Sequence, residues 1–377
     1  MSIQDGFMSI HGISQYIDFH FTLNYTILIP TVPFVYIIPT MVIMWKVYRG
    51  YHSQSSNLTK LTLDSHLYAM LMFYFVANIS FFFTDFLRFN VPVSGLATSL
   101  CAGLFPNRYF TLLIAVGDYM NYCILILPFL VSVVRIIILS VAYNQKKIRA
   151  RVMKWFILPI LFLLPLFCVS FMIPSMGYCR QLGSPFGFGA IDIYYTHGWF
   201  GLRRSYFILG LSVSCWTLSA VLSSVIYFKI RSGLMRAGSI HTRKLAKKAE
   251  FSISLTLISA IVPFITNCIV SVTTLWTPDI MFYFSILRLV GNDIETVLMP
   301  WTLYLTHPVF REKNEDLRNA QKTIKIWNLS LRSTLLSGSY VFGLAIFLPF
   351  LDSGLLCSLV VLHFQISIVI FNFKKSK

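Results

Sequence analysis

The sequence predicts an all-α membrane protein, a seven-transmembrane helix bundle with an extra hydrophobic segment near its C-terminus. Three observations predict this fold class: seven long apolar stretches, basic residues concentrated in alternate connections, and a composition that is 56% hydrophobic but only 12% charged. Soluble domains carry about twice that charged fraction. We therefore expect a polytopic protein whose main surroundings are the lipid bilayer.

Each of the seven apolar stretches is long enough to cross a membrane. A bilayer core about 30 Å thick needs about 20 residues of helix, because a helix rises about 1.5 Å per residue. A spanning segment must also satisfy its backbone internally, which favours helices. The predicted spans cover residues 25–45, 67–87, 110–134, 155–174, 206–227, 251–272 and 280–305. Together they form the predicted bundle at residues 25–305.

The charges in the connections orient this bundle. Lys and Arg accumulate on the cytoplasmic side of membrane proteins. The first, third and fifth connections are rich in both, whereas residues 1–24 and the sixth connection have none. The pattern predicts an extracellular N-terminus at residues 1–24 and a cytoplasmic amphipathic tail at residues 306–339. It also argues against nucleic acid as a partner of this chain of net charge +17, because the basic residues are sorted onto one face.

Three residues and one short segment are notable on the predicted outer side. Cys101 precedes the third span and Cys179 lies in the fourth connection, both facing an oxidising environment. A disulfide between them would tie this long loop to the third helix, although spacing alone does not fix connectivity. Asn24 begins an Asn-Tyr-Thr sequon and is a candidate for glycosylation. Residues 188–195 are expected to form a short strand over the mouth of the bundle.

Ionisable residues within the spans carry a functional hypothesis, because charge is costly in a membrane. Asp118 lies 17 residues before Arg135, or about 25 Å along the third helix, which places it in the outer third of the membrane. A pocket for a small polar ligand is one interpretation. The pocket candidates are Asp118, Tyr119, Tyr122, Arg288 and Asp293. The competing interpretation is an internal salt bridge, for example between Asp118 and Arg288, that only holds helices together.

No catalytic motif accompanies the spans. The sequence has no phosphate-binding loop and no His-Glu-x-x-His, so we predict neither enzyme activity nor a cofactor. A polytopic membrane transporter is the alternative function, although transporters often contain internal repeats and seven spans do not form equal halves. Residues 340–377 keep this alternative open. They contain a further hydrophobic segment of unknown placement, and an eighth crossing there would restore an even number of spans.

Short stretches of sequence resemble one family of seven-helix receptors. The stretches that carry the resemblance are IHG at 10–12, QYID at 15–18, FLVSVVRI at 129–136, CRQL at 179–182, FGAI at 188–191 and GWFGL at 198–202. Over residues 8–315 the chain is similar to the nematode serpentine chemoreceptors of class U, with classes G and V as near alternatives. The resemblance implies a G-protein-coupled receptor fold, a small-molecule ligand, a heterotrimeric G protein as partner, and the plasma membrane of sensory neurons.

The resemblance also implies roles for residues near the inner ends of the helices. Arg135 stands where receptors of this fold place an arginine that contacts neighbouring helices at rest and helps to receive the G protein. Val134 replaces the usual acidic neighbour, and the competing interpretation is an arginine that snorkels to the membrane edge. The other residues implied in activation or coupling are Pro263, Pro300, Tyr304, Lys244, Lys247 and Lys248. The asparagine usually found before the seventh-helix proline is absent, and Tyr304 falls one position late.

Overall fold

The computed structural model describes most of the chain up to residue 310. The described residues are 9–21, 27–54, 64–140, 146–196, 198–234, 251–258, 261–277, 280–307 and 310. Asn24, Lys244, Lys247 and Lys248 lie outside them, as does the predicted tail from residue 311 onward. The hydrophobic segment predicted at residues 340–377 is likewise outside the described residues.

The described part is almost entirely helical, with one small sheet. The helices are α1 (Ser14–Ile17), α2 (Leu28–Gln54), α3 (Ser65–Asp85), α4 (Val91–Val93), α5 (Thr98–Gly103), α6 (Arg108–Ser140), α7 (Lys146–Val152), α8 (Leu158–Ser170), α9 (Arg204–Leu234), α10 (Ile261–Trp276) and α11 (Met281–Thr306). The strands are β1 (Gly177–Gln181) and β2 (Ile191–Tyr195). Short π-helical segments at Phe86–Asn90 and Met153–Ile157 join α3 to α4 and α7 to α8. Residues 251–258 are also helical.

Six segments among the described residues have the length and apolarity of membrane spans. They are Leu28–His52, Ser65–Val93, Arg108–Ile138, Arg149–Ser170, Arg204–Phe228 and Phe251–Trp276. Helix α11 has 26 residues and completes the set of seven, although it also carries Arg288, Asp293 and Glu295. The prediction of a helical membrane bundle is therefore confirmed.

The second span is longer than the sequence predicted. We ended it at residue 87, but the π-helical segment Phe86–Asn90 and α4 continue its course to Val93. A π-helical turn holds one more residue than an α-helical turn and often occurs at functional sites. Arg88 lies in this turn and is buried.

The long helices form a closed ring. Helix α6 packs against three of them, α3, α8 and α9. From α9 the ring continues through α10 to α11, which returns to α2 and α3. These three neighbours explain the burial of α6: 67% of its most apolar stretch is buried, against 22% for the fourth span. The helices of the rim face lipid on one side, so their outward positions stay apolar, as at Val35 and Phe167.

Small residues allow close approach between some helices. A Cβ atom at Gly291 of α11 would lie 2.4 Å from Oγ1 of Thr266 on α10. Membrane helices commonly meet at such small residues, because there is no hydrophobic driving force between helices in lipid.

A roof of three sequence-distant pieces covers the outer end of α6. Strands β1 and β2 form an antiparallel hairpin in which Cys179 faces Ile193, and Cys101 of α5 is joined to Cys179 by a disulfide. The N–H of Ile10 donates to the carbonyl of Cys179 at 3.1 Å, and the N–H of Gly12 to that of Ala102 at 3.1 Å. We call residues 9–21, α5 and the hairpin the outer roof.

Strand β2 occupies most of the stretch where the sequence predicted a strand, residues 188–195. Its partner β1 was not predicted. The N-terminal segment was also not expected to pair with the hairpin, because its contacts depend on residues far away in sequence. Tyr16 stacks on Phe188 with ring centroids 4.8 Å apart, which fixes the loop between the two strands to residues 9–21.

Gly177→Ala is expected to displace the hairpin from α6 and to destabilise the protein by about 1–3 kcal/mol, as overpacking does. The added Cβ would lie 2.4 Å from Cβ of Phe110 and 2.6 Å from the backbone nitrogen of Thr111. Gly187→Ala is the matched control, since nothing lies within 4 Å of the equivalent atom. Thermal unfolding of the purified chain measures the difference, and equal melting of the two variants would contradict this tight contact.

Candidate functional site

Asp118 lies at the centre of a buried ionic group in the outer half of the bundle. Its Oδ1 is 3.4 Å from Nη1 of Arg88 and 3.7 Å from Nη1 of Arg204. The side chains of Asp118 and Arg88 are only 3% and 4% exposed. The three residues come from three spans: the π-helical end of the second, α6, and the start of α9. Pairing is how proteins tolerate such charges, because an isolated buried charge costs several kcal/mol.

The hairpin closes this group from the outer side. Nε of Arg88 donates to the carbonyl of Ile193 in β2 at 3.4 Å. Arg180 and Asp192 face each other in the hairpin register and form a second ion pair, with Nη2 and Oδ2 3.6 Å apart. The guanidinium of Arg180 also lies over the ring of Tyr194, 3.7 Å from its centroid. We call the five charged residues the outer ionic cluster: Arg88, Asp118, Arg180, Asp192 and Arg204.

Two tyrosines border the cluster. The side chain of Tyr122, four residues after Asp118 on α6, is fully buried, and its ring meets the edge of Phe207 at 6.5 Å. The hydroxyl of Tyr195 accepts a hydrogen bond from the backbone N–H of Arg204 at 3.2 Å. Burial raises the pKa of Tyr195, so its hydroxyl remains protonated and neutral.

The other predicted pocket residues lie in different surroundings. Tyr119 is half-buried and packs against the main core of the bundle. Asp293 accepts a hydrogen bond from the hydroxyl of Tyr36 on α2, so its described partner belongs to the first span. The side chain of Arg288 lies outside the described residues, and with it the salt bridge suggested between Asp118 and Arg288. The described ion-pair partners of Asp118 are Arg88 and Arg204.

Helix α11 is linked to the first two spans by polar contacts. The hydroxyl of Tyr74 on α3 donates to Glu295, and both side chains are buried. Nε1 of Trp301 donates to Oγ1 of Thr40 at 3.3 Å. Hydrogen bonds between membrane helices contribute about 0.6 kcal/mol each on average. These contacts therefore fix the position of α11 in the ring and do not form part of the outer ionic cluster.

Arg135 is buried between the inner ends of the helices. Its Nη2 donates to Oγ of Ser254, in the helical residues 251–258 of the sixth span, at 3.0 Å. The side chain is only 2% exposed, so it is packed among the helices. Nearby, Oγ of Ser252 lies 2.5 Å from Oγ1 of Thr306 in α11. Polar contacts therefore join the third, sixth and seventh spans at this level.

The predicted prolines and Tyr304 are distributed along the last two spans. Pro263 lies in the first turn of α10 and Pro300 inside α11, and both are buried. The ring of Tyr304 stacks on that of Phe310 with centroids 6.5 Å apart. His307 directly follows α11, and burial lowers its pKa to about 4, so the imidazole is neutral.

Sequence reasoning missed most of the outer ionic cluster. Of its five members only Asp118 was a candidate. The positions of Arg88, Arg180 and Arg204 did carry a signal: these arginines lie in or at the edge of outer connections that are otherwise poor in basic residues, against the usual distribution. No group of three or more His, Cys, Asp or Glu that could hold a metal occurs among the described residues.

A ring of seven membrane helices, with a disulfide-linked outer hairpin and a buried arginine near the inner end of the third, defines a seven-helix receptor. The chain matches the family described as serpentine type 7TM GPCR chemoreceptor Sru over residues 10–313. It is 31% identical over 275 residues to serpentine receptor class U-26 of Caenorhabditis elegans, which covers 71% of this chain and 91% of that protein. The chain therefore belongs to the class U serpentine receptors.

Family membership confirms the resemblance drawn from the sequence. The protein is a multi-pass membrane protein of a GPCR-like chemosensory receptor family, and this family is one of receptors and not of enzymes. The transporter alternative loses its support, since both matches are to receptors. The family match ends at residue 313, so residues 314–377 lie beyond it.

Proposed function

We propose that this receptor binds a small-molecule ligand in the outer half of the bundle, against the outer ionic cluster, and thereby activates a heterotrimeric G protein. The observation that carries the proposal is the buried position of Asp118 between charges from the second and fifth spans, directly beneath the hairpin. A ligand that binds one arrangement of these helices more tightly than another shifts the equilibrium between them.

The third helix offers a physical connection from this site to the cytoplasmic side. It extends about 25 Å from Asp118 to Arg135, and Arg135 holds the sixth span through Ser254. In the proposed active arrangement this hydrogen bond is broken and the inner end of the sixth span moves outward. Pro263 and Pro300 are bending points, because proline removes a backbone hydrogen bond from a helix.

The basic connection between the fifth and sixth spans would receive the G protein. Lys244, Lys247 and Lys248 belong to a run of basic residues that suits an acidic protein surface or anionic lipid headgroups. Tyr304 lies near the inner end of α11 and completes this proposed coupling region.

The direct test is guanine-nucleotide exchange in membranes that contain the full chain and one class of Gα subunit at a time. Exchange that rises with an added chemical, and only in membranes with the receptor, is the expected result. A receptor that reaches the cell surface but stimulates no Gα class with any chemical of a broad panel would contradict the coupling part of the proposal.

We also propose that the protein resides in the plasma membrane of sensory neurons with its N-terminus outside. An epitope tag placed before Met1 is expected to be labelled on intact cells, and a tag after Lys377 only after permeabilisation, because basic residues stay on the cytoplasmic side. Labelling of both tags on intact cells would indicate an eighth crossing within residues 340–371 and contradict the seven-span topology.

A further inference from the structure

Two arginines of the outer ionic cluster share one carboxylate. Arg88 and Arg204 share the one carboxylate of Asp118, while Arg180 pairs with Asp192 across the hairpin. Arg204 therefore shares its nearest carboxylate with a second guanidinium group. A buried guanidinium that shares its acid in this way is a suitable partner for a further carboxylate.

Two buried hydrogen-bonding groups at the cluster also lack partners among the described residues. Nη1 of Arg204 has no hydrogen-bond partner among the described residues, since the nearby Oδ1 of Asp118 is 3.7 Å away. The hydroxyl of Tyr122, on a fully buried side chain, has none there either. Buried donors are normally paired, and those left without partners call for an explanation such as an absent ligand. The planar fork of an arginine fits a carboxylate particularly well.

We propose that this receptor recognises small organic anions, namely carboxylates with an apolar body, and that Arg204 binds the carboxylate while Tyr122 donates a second hydrogen bond. The inference rests on the ligand site proposed above and specifies its chemistry. Apolar side chains next to Tyr122 suit the body of such a ligand: Cys168 and Ile208 form a buried cluster with it, and the partly buried Phe207 packs against this cluster.

A protonated amine is the ligand that an isolated Asp118 would select. In this protein Oδ1 of Asp118 already lies within 4 Å of two guanidinium groups, those of Arg88 and Arg204, while its Oδ2 has no hydrogen-bond partner among the described residues. An ammonium group brought to the same carboxylate would meet two like charges at short range in a medium of low dielectric constant. The same two arginines attract an anion, so the local field favours carboxylates over amines.

The test uses the purified full-length receptor in nanodiscs of zwitterionic lipid. Thermal unfolding is measured with butyrate, hexanoate and octanoate, and with the amine and the alcohol of each chain length. Carboxylates are expected to raise the melting temperature in a concentration-dependent way, and the matched amines and alcohols are not. The alcohols control for insertion of the apolar chain into the bilayer.

Arg204→Gln is expected to weaken carboxylate binding about tenfold or more, because it removes charge-assisted hydrogen bonds. Arg203→Gln is the matched control, since the neighbouring Arg203 is exposed, and it is expected to leave the affinity unchanged. Asp118→Asn removes the acid that competes for Arg204 and is expected to strengthen carboxylate binding. This second variant tests the proposal even if Arg204→Gln does not fold.

The outcomes separate this inference from the proposed function. If the amines stabilise the receptor and this effect disappears in Asp118→Asn, the proposed preference for anions is overturned. The proposed location of the ligand site is then retained. Carboxylate binding that is unaffected by both Arg204→Gln and Asp118→Asn would overturn the assignment to this cluster. If no probe shifts unfolding, the anion proposal fails. Carboxylates that bind through Arg204 without stimulating nucleotide exchange would support the inference and count against the coupling to a G protein.

Discussion

Arg135→Ala is expected to abolish ligand-evoked nucleotide exchange on the G protein while the receptor still reaches the cell surface at a normal level. The guanidinium is buried between the third and sixth spans, where it donates to Ser254 at 3.0 Å. We infer that, when the sixth span moves, the same group becomes available to the G protein. Alanine removes that interaction, whereas the packed core of the bundle keeps its apolar contacts.

Two variants control this experiment. Arg151→Ala removes an exposed basic residue on the same cytoplasmic side and is expected to signal normally. Ser254→Ala removes one hydrogen-bond partner of Arg135 and is expected to raise exchange in the absence of ligand, since the inactive arrangement loses this hydrogen bond. Surface delivery is measured for each with the N-terminal tag. Full signalling by a well-delivered Arg135→Ala receptor would contradict the proposed role of this residue.

Cys179→Ser is expected to cost about 4.5 kcal/mol of stability, the chain-entropy value for a loop of this length. The disulfide to Cys101 closes a sequence separation of 78 residues. Its loss also frees the hairpin that carries Arg180 and Asp192 of the outer ionic cluster, so the ligand response is expected to disappear. Thermal unfolding with and without a thiol reductant, together with the exchange assay, measures both effects.

The matched control is Cys268→Ser, which removes a cysteine that is free of any disulfide. The double variant Cys101→Ser with Cys179→Ser is expected to melt like Cys179→Ser alone, because either change removes the same bond. Wild-type stability in the double variant would show that the bridge does not hold the outer roof. A reductant that lowers the melting temperature of the double variant would point to another redox-sensitive bond.

The sequence predicted the bundle well for a physical reason. In lipid each span must satisfy its own backbone, so length and apolarity alone identify the helices, and the fixed period of a helix places Asp118 relative to Arg135. The positions of the span ends were less predictable. The second span continues to Val93 because a π-helical segment follows Asp85. No local residue pattern predicted this segment.

The candidate site was predictable only in part, because its members meet through tertiary structure. Asp118 was identified because a charged side chain within a membrane span is energetically costly. Arg88 became a partner through the π-helical turn, and Arg204 because α9 begins close to the hairpin. Both contacts depend on packing between distant segments. Counting the charged residues in the outer connections would have identified these arginines as unusual. It would not have predicted that they pair with Asp118.

The construction of the outer roof has a consequence for the timing of a sensory response. Residues 9–21, α5 and the hairpin are joined by the disulfide and by backbone hydrogen bonds from Ile10 and Gly12. A chemical bound at the proposed ligand site would exchange only as often as this assembly opens, so its affinity and its residence time would be separate properties. A slow exchange would let such a receptor average a fluctuating stimulus and prolong the signal after the chemical is gone.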